Sequence, residues 1–91
     1  MADYIKALGY QQITSLAAAT ALTVPAGTSK ALIQAETQAV RWRDDGTSPT
    51  ASVGMNLAVG DMLEYDSAQL AIVKFIEVVA SAKLNISYYG S

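Results

Sequence analysis

The side chains that most often carry enzyme chemistry are missing from this chain, which has neither histidine nor cysteine. Acid–base work would fall to carboxylates, nucleophilic attack to serine or threonine, and metal binding to oxygen ligands. Asp44, Asp45 and Asp66 are candidates for a hard cation, because turns can present carboxylates together. The run Asp44-Asp45-Gly46-Thr47 lacks the alternating oxygen ligands of an EF-hand loop, however, and Asp-Gly is a turn signal in its own right. Glycosidase chemistry needs two carboxylates flanking a sugar. Glu36, Glu64 and Glu77 are available, but Glu64 and Glu77 fall within alternating segments and read as solvated strand faces. Ser29 and Lys30 could pair as nucleophile and base, yet neighbours on an extended chain point to opposite faces. The expectation is a non-enzymatic protein with no catalytic, cofactor or metal residue.

Contact chemistry offers more. Trp42 could stack a sugar or base, but it shares the Val40 side of an alternating run, opposite Arg41 and Arg43, which predicts a core position. The two arginines then face outward, where Glu64 or Asp66, on another strand or another chain, could pair with them. Tyr88 and Tyr89 close the last alternating segment, so a regular strand must turn one of them outward. Tyr4, Ile5, Leu8, Arg41, Arg43 and Tyr89 are the candidate interface residues.

Positioning these residues requires a set of short strands. Residues 1–15 mix a possible short helix (Tyr4, Ile5 and Leu8 at helical spacing, cut by Gly9) with an extended segment, and read as an N-terminal arm. Residues 16–91 read as one β domain. Strands are expected at Thr20 to Val24, Ala31 to Ala35, Ala39 to Arg43, Thr50 to Val53, Met55 to Val59, Met62 to Tyr65, Ala71 to Val78 and Leu84 to Tyr88. Turns fall at Pro25 to Thr28, Asp44 to Thr47, Val59 to Asp61, Asp66 to Ala68 and Ala80 to Ala82. Seven to eight strands at this spacing predict an all-β, compact antiparallel sandwich or jelly-roll-like barrel.

The totals narrow the partners. The chain has 91 residues, 52% of them hydrophobic and 15% charged, with a net charge of −2. So small a domain has little interior for that much apolar surface, which favours a homo-oligomer or an incorporated subunit, although much of the apolar content is alanine. No basic cluster is present to neutralise phosphates, so nucleic acid is not expected as a partner. Leu16 to Ala26 is too short to span a bilayer, and the opening MADYIKALGY lacks the apolar core of a secretory signal, so no membrane partner is expected either.

The segments ALIQAE, VRWRDDGTSPTASVGM, LEYD, KFI and LNISYY together resemble small proteins encoded among bacteriophage head and tail genes. The resemblance covers about three quarters of the chain and leaves the arm unmatched. It implies a virion structural protein acting by contact, with a small β-sandwich or jelly-roll-like fold. First among its implications is a capsid decoration (cement) protein. That protein would be made in the host cytoplasm, sit on the capsid surface, and bind the major capsid protein or other virion proteins. A trimer on local threefold axes follows from that role. A head–tail connector or tail component is the second reading, and a carbohydrate- or receptor-binding β module is a rival from another class.

Overall fold

The chain folds as two four-stranded antiparallel sheets packed face to face. A computed structural model describes residues 6–66 and 68–90. The strands are β1 (Lys6–Ile13), β2 (Thr20–Ala21), β3 (Lys30–Glu36), β4 (Val40–Arg43), β5 (Met55–Leu57), β6 (Met62–Tyr65), β7 (Lys74–Glu77) and β8 (Lys83–Gly90). One sheet runs β1-β8-β3-β6 and the other β2-β7-β4-β5. The hydrogen-bonded pairs therefore include first with last, third with sixth, second with seventh and fourth with fifth. That nesting is the topology of a jelly roll, the outcome of folding one long hairpin back around itself.

Period-2 alternation explains why these segments are strands and which side of each is buried. Ala31, Ile33 and Ala35 of β3 face Leu84, Ile86 and Tyr88 of β8, and all are essentially inaccessible to water. The second sheet contributes Val40, Leu57 and Phe75, with Leu16, Leu22, Leu70 and Val73 sealing the ends. Each large side chain so buried is worth roughly 1.5–3 kcal/mol over its exposed state. Among the described residues no polar or charged residue falls in the fully buried class.

Within the described part of the expected arm, residues 6–15, Lys6–Ile13 is strand β1, paired with β8 along its length. Its register slips between Ala7 and Gly9, a β-bulge that leaves Leu8 without a cross-strand partner and packs it against the core. The helical spacing of Tyr4, Ile5 and Leu8 has no helix at Leu8; residues 1–5 lie outside the described residues.

Three other expectations shift. Thr50 to Val53 is a turn rather than a strand: the Thr50 and Val53 main chains bond each other, and Thr50 Oγ1 accepts from the Ser52 and Val53 amides. A threonine hydroxyl can capture nearby amides in this way and compete with strand pairing. The expected strand at Ala71 to Val78 begins only at Lys74, because Ala68–Ala71 forms a 3-10 turn closed by Ile72 and Val73 amides donating to the Gln69 carbonyl. The strand expected at Thr20 to Val24 is confined to Thr20–Ala21, since the Thr23 amide donates to Gln11 Oε1 instead of a ladder. Asp-Gly does supply positive φ at Gly46 (φ 88), but the β4–β5 hairpin closes only after a long loop over 44–54.

Candidate interaction surfaces

The two arginines on the outward side of β4 are fixed by local partners. Arg41 donates through Nε to the Ala51 carbonyl at 3.1 Å and through Nη1 to the Gly54 carbonyl at 2.9 Å, so it holds the 44–54 loop against the sheet. Arg43 forms a two-pronged pair with Asp45 (3.1 and 2.5 Å), in place of the expected pairing with Glu64 or Asp66. Glu64 instead pairs with Lys30 of the neighbouring strand at 3.3 Å. Tertiary register explains the difference: β4 and β6 belong to different sheets, while Asp45 is two residues from Arg43 on the same chain. Hydrogen bonding to Asp45 raises the pKa of Arg43, and the same contact lowers that of Asp45. Asp45 also offsets a like-charge juxtaposition, because Arg43 lies directly opposite Lys74 on β7.

Trp42 faces inward with Val40, half-buried, and meets the Tyr65 ring edge-on at 5.9 Å. Tyr65 in turn donates to Asp44 Oδ2 at 2.5 Å, so Asp44 serves as a tyrosine partner and Asp45 as an arginine partner. Among the described residues no three acidic side chains converge as a cation site. Of the terminal tyrosines, Tyr88 is the buried one. Its hydroxyl donates to Gln11 Oε1 at 2.5 Å, and burial pushes its pKa up to about 12. Tyr89 faces outward. Leu8, expected at an interface, has its Cδ1 close to Gly90 and Gly27 and is part of the core packing. Tyr4 and Ile5 lie outside the described residues.

Two surfaces emerge that strand-by-strand reading did not single out. The first is one end of the sandwich, where the connections β1–β2, β3–β4, β5–β6 and β7–β8 gather. Backbone bonds tie neighbouring connections and strand ends together: Glu77 amide to Leu16 carbonyl, Val78 amide to Ala39 carbonyl, Gly60 amide to Ala35 carbonyl. Val59 and Val79 project from it, 53% and 55% exposed, among alanines, and Asp61 is the one charged residue within these four connections. Two non-glycine residues there hold positive φ, Thr37 (φ 73) and Ser81 (φ 78). Thr37 sits at the centre of a γ-turn closed by the Gln38 amide on the Glu36 carbonyl, a strained conformation for a β-branched residue. The opposite end of the sandwich carries Asp44, Asp45 and Asp66 together with the strand-end cations Lys30, Arg43 and Lys74.

The second surface is the outward side of the β1-β8-β3-β6 sheet. Register places Tyr10, Ser87, Leu32 and Glu64 in one row across the four strands, and Gln12, Asn85, Gln34 and Met62 in the next. Asn85 is the hub: its Oδ1 accepts from Tyr10 Oη (2.6 Å) and Gln12 Nε2 (3.0 Å), and its Nδ2 donates to Glu36 Oε1 (2.8 Å) and Gln34 Oε1 (3.5 Å). At one side of the face Lys30, Leu32, Glu64 and Tyr89 line an open recess of about 350 Å³.

Fold and surfaces together define the chain as a small jelly-roll β-sandwich with a loop end carrying exposed valines and an amide-rich sheet face. Comparison with protein-family models, curated proteins and solved structures finds no match.

Proposed function

We propose that this chain is a non-enzymatic virion structural protein of the capsid-decoration type, docking on the capsid lattice through the four-connection end of its sandwich. The observation that carries the reading is the exposed apolar pair Val59 and Val79 on an end whose four connections hold one charged residue, Asp61. Apolar surface with few charges is what the buried centre of a protein–protein contact requires. Backbone ties between the connections and the tight Thr37 and Ser81 turns hold that end in one shape, which lowers the ordering cost of docking. The resemblance to phage head and tail proteins points the same way, and jelly rolls recur in capsid proteins, although fold alone does not assign a role. Binding the assembled lattice more tightly than its precursor would stabilise the former by mass action.

The test is co-sedimentation of the purified chain with particles lacking it, with copy number counted by quantitative mass spectrometry. Saturation at hundreds of copies per particle is expected, with binding lost in a Val59→Glu, Val79→Glu double variant that keeps its unfolding midpoint. Saturation at a single ring's worth would move the protein to the head–tail junction. Absence of binding would reject a virion role on that particle.

A further inference from the structure

We propose that the outward face of the β1-β8-β3-β6 sheet is a second binding site, taking a neutral oligosaccharide across Tyr10, Gln12, Gln34, Ser87 and Tyr89. Tyr10 is 66% exposed, and its cross-strand partner Ser87 lies two residues from Tyr89, so the two positions are diagonal neighbours on one surface, with the Tyr10 hydroxyl reaching toward Asn85. Two outward tyrosines on rigid strands offer flat apolar area at low entropy cost, suited to the C–H face of a pyranose ring.

The amides between them are already oriented. Because Gln12 commits its Nε2 to Asn85, its Oε1 remains as an acceptor for a ligand, and the Gln34 amide, 3.5 Å from Asn85, lies beside it. Ser87 Oγ and the Tyr89 hydroxyl likewise make no hydrogen bond within the described residues. Alternating donors and acceptors match sugar hydroxyls, each of which both donates and accepts.

Charge complementarity selects a neutral ligand. Lys30 is paired with Glu64, and Lys83 lies opposite Glu36, so the charges on this face cancel strand against strand. An anionic or cationic partner would find no unmatched counter-charge here. A protein partner would need an apolar centre, whereas the centre of this face is Asn85 and its amides. The recess beside Tyr89 gives the end of a chain somewhere to sit.

This inference does not rest on capsid docking, which uses the loop end. The experiment is a titration of the isotopically labelled, particle-free chain with maltohexaose, cellohexaose, xylohexaose and mannohexaose, followed by amide chemical shifts. Saturable shifts confined to β1, β8 and β3 are expected with at least one sugar, with a Kd of roughly 0.1–1 mM. Tyr10→Ala and Tyr89→Ala should each weaken binding about tenfold at unchanged unfolding midpoint, while Tyr10→Phe, which keeps the ring, should retain most of it. No saturable shift with any of the four sugars at about 10 mM would overturn the proposal. So would shifts that map to the other sheet or survive in the Tyr10→Ala, Tyr89→Ala double variant. Loss of particle co-sedimentation in that variant without sugar binding would assign the face to a protein instead.

Discussion

At Gly90, where β8 ends, a Cβ would lie 2.3 Å from the Gly27 carbonyl oxygen and 2.7 Å from Leu8 Cδ1. The first contact is with main chain and cannot be relieved by a rotamer change. Gly90→Ala is therefore expected to destabilise the fold by about 1–3 kcal/mol in a urea titration; a loss of less than a few tenths would mean that the Gly27 turn is free to move. Tyr88 supports a second residue-scale prediction. Its ordinary pKa is near 10, and burial raises it to about 12, so the unfolded chain loses this proton first as pH rises. The stabilisation is fully present below about pH 10 and disappears between about pH 10 and 12. Unfolding midpoints measured across that range should fall more steeply in the parent than in Tyr88→Phe, and parallel curves would show that Tyr88 ionises freely in the folded state.

Among the elements, the 44–54 loop depends on a partner that its own sequence does not supply. Arg41 reaches from β4 to two of its carbonyls, and Gly54 at φ 143 brings the chain back into β5 with little room for a side chain beside Arg41, Pro49 and the Trp42 carbonyl. Charge-assisted bonds of this kind are typically worth about 1.5–3 kcal/mol, less where water reaches them, as it does at Ala51. Arg41→Met should cost about 1–2 kcal/mol and raise hydrogen exchange selectively at residues 50–55. Equal loosening of β3 and β8 would contradict a loop-anchoring role. Alternation along β3 and β8 was readable because both strands are half-buried and regular. The 3-10 turn and the Thr50–Val53 turn were not, because side-chain and local backbone acceptors competed with ladder pairing there.

For the molecule as a whole, apolar surplus remains after folding. Tyr10, Met55 and Met62 are all more than half exposed, in addition to the valines of the loop end. β5 and β6, consecutive in the chain, are each an edge strand of their sheet, which leaves unpaired main chain beside Met55 and Met62. A preformed homotrimer on these edges would cover them, and light scattering on a sizing column is expected to give a concentration-independent trimer mass. A monomer at all concentrations would reject a preformed trimer and leave assembly to the particle.

The sequence alone determined the all-β class, the inward face of β4, and the positions of the Pro25, Val59 and Ala80 turns. Those features follow from period-2 burial and from local φ requirements, both of which act within a few residues. Pairing first with last and third with sixth, the Arg43–Asp45 and Lys30–Glu64 pairs, the choice of Tyr88 as the buried tyrosine, and the two contact surfaces were decided only by tertiary structure. Each joins residues far apart in the chain or chooses between partners of equal chemistry, and that choice is made by which strands lie side by side in space.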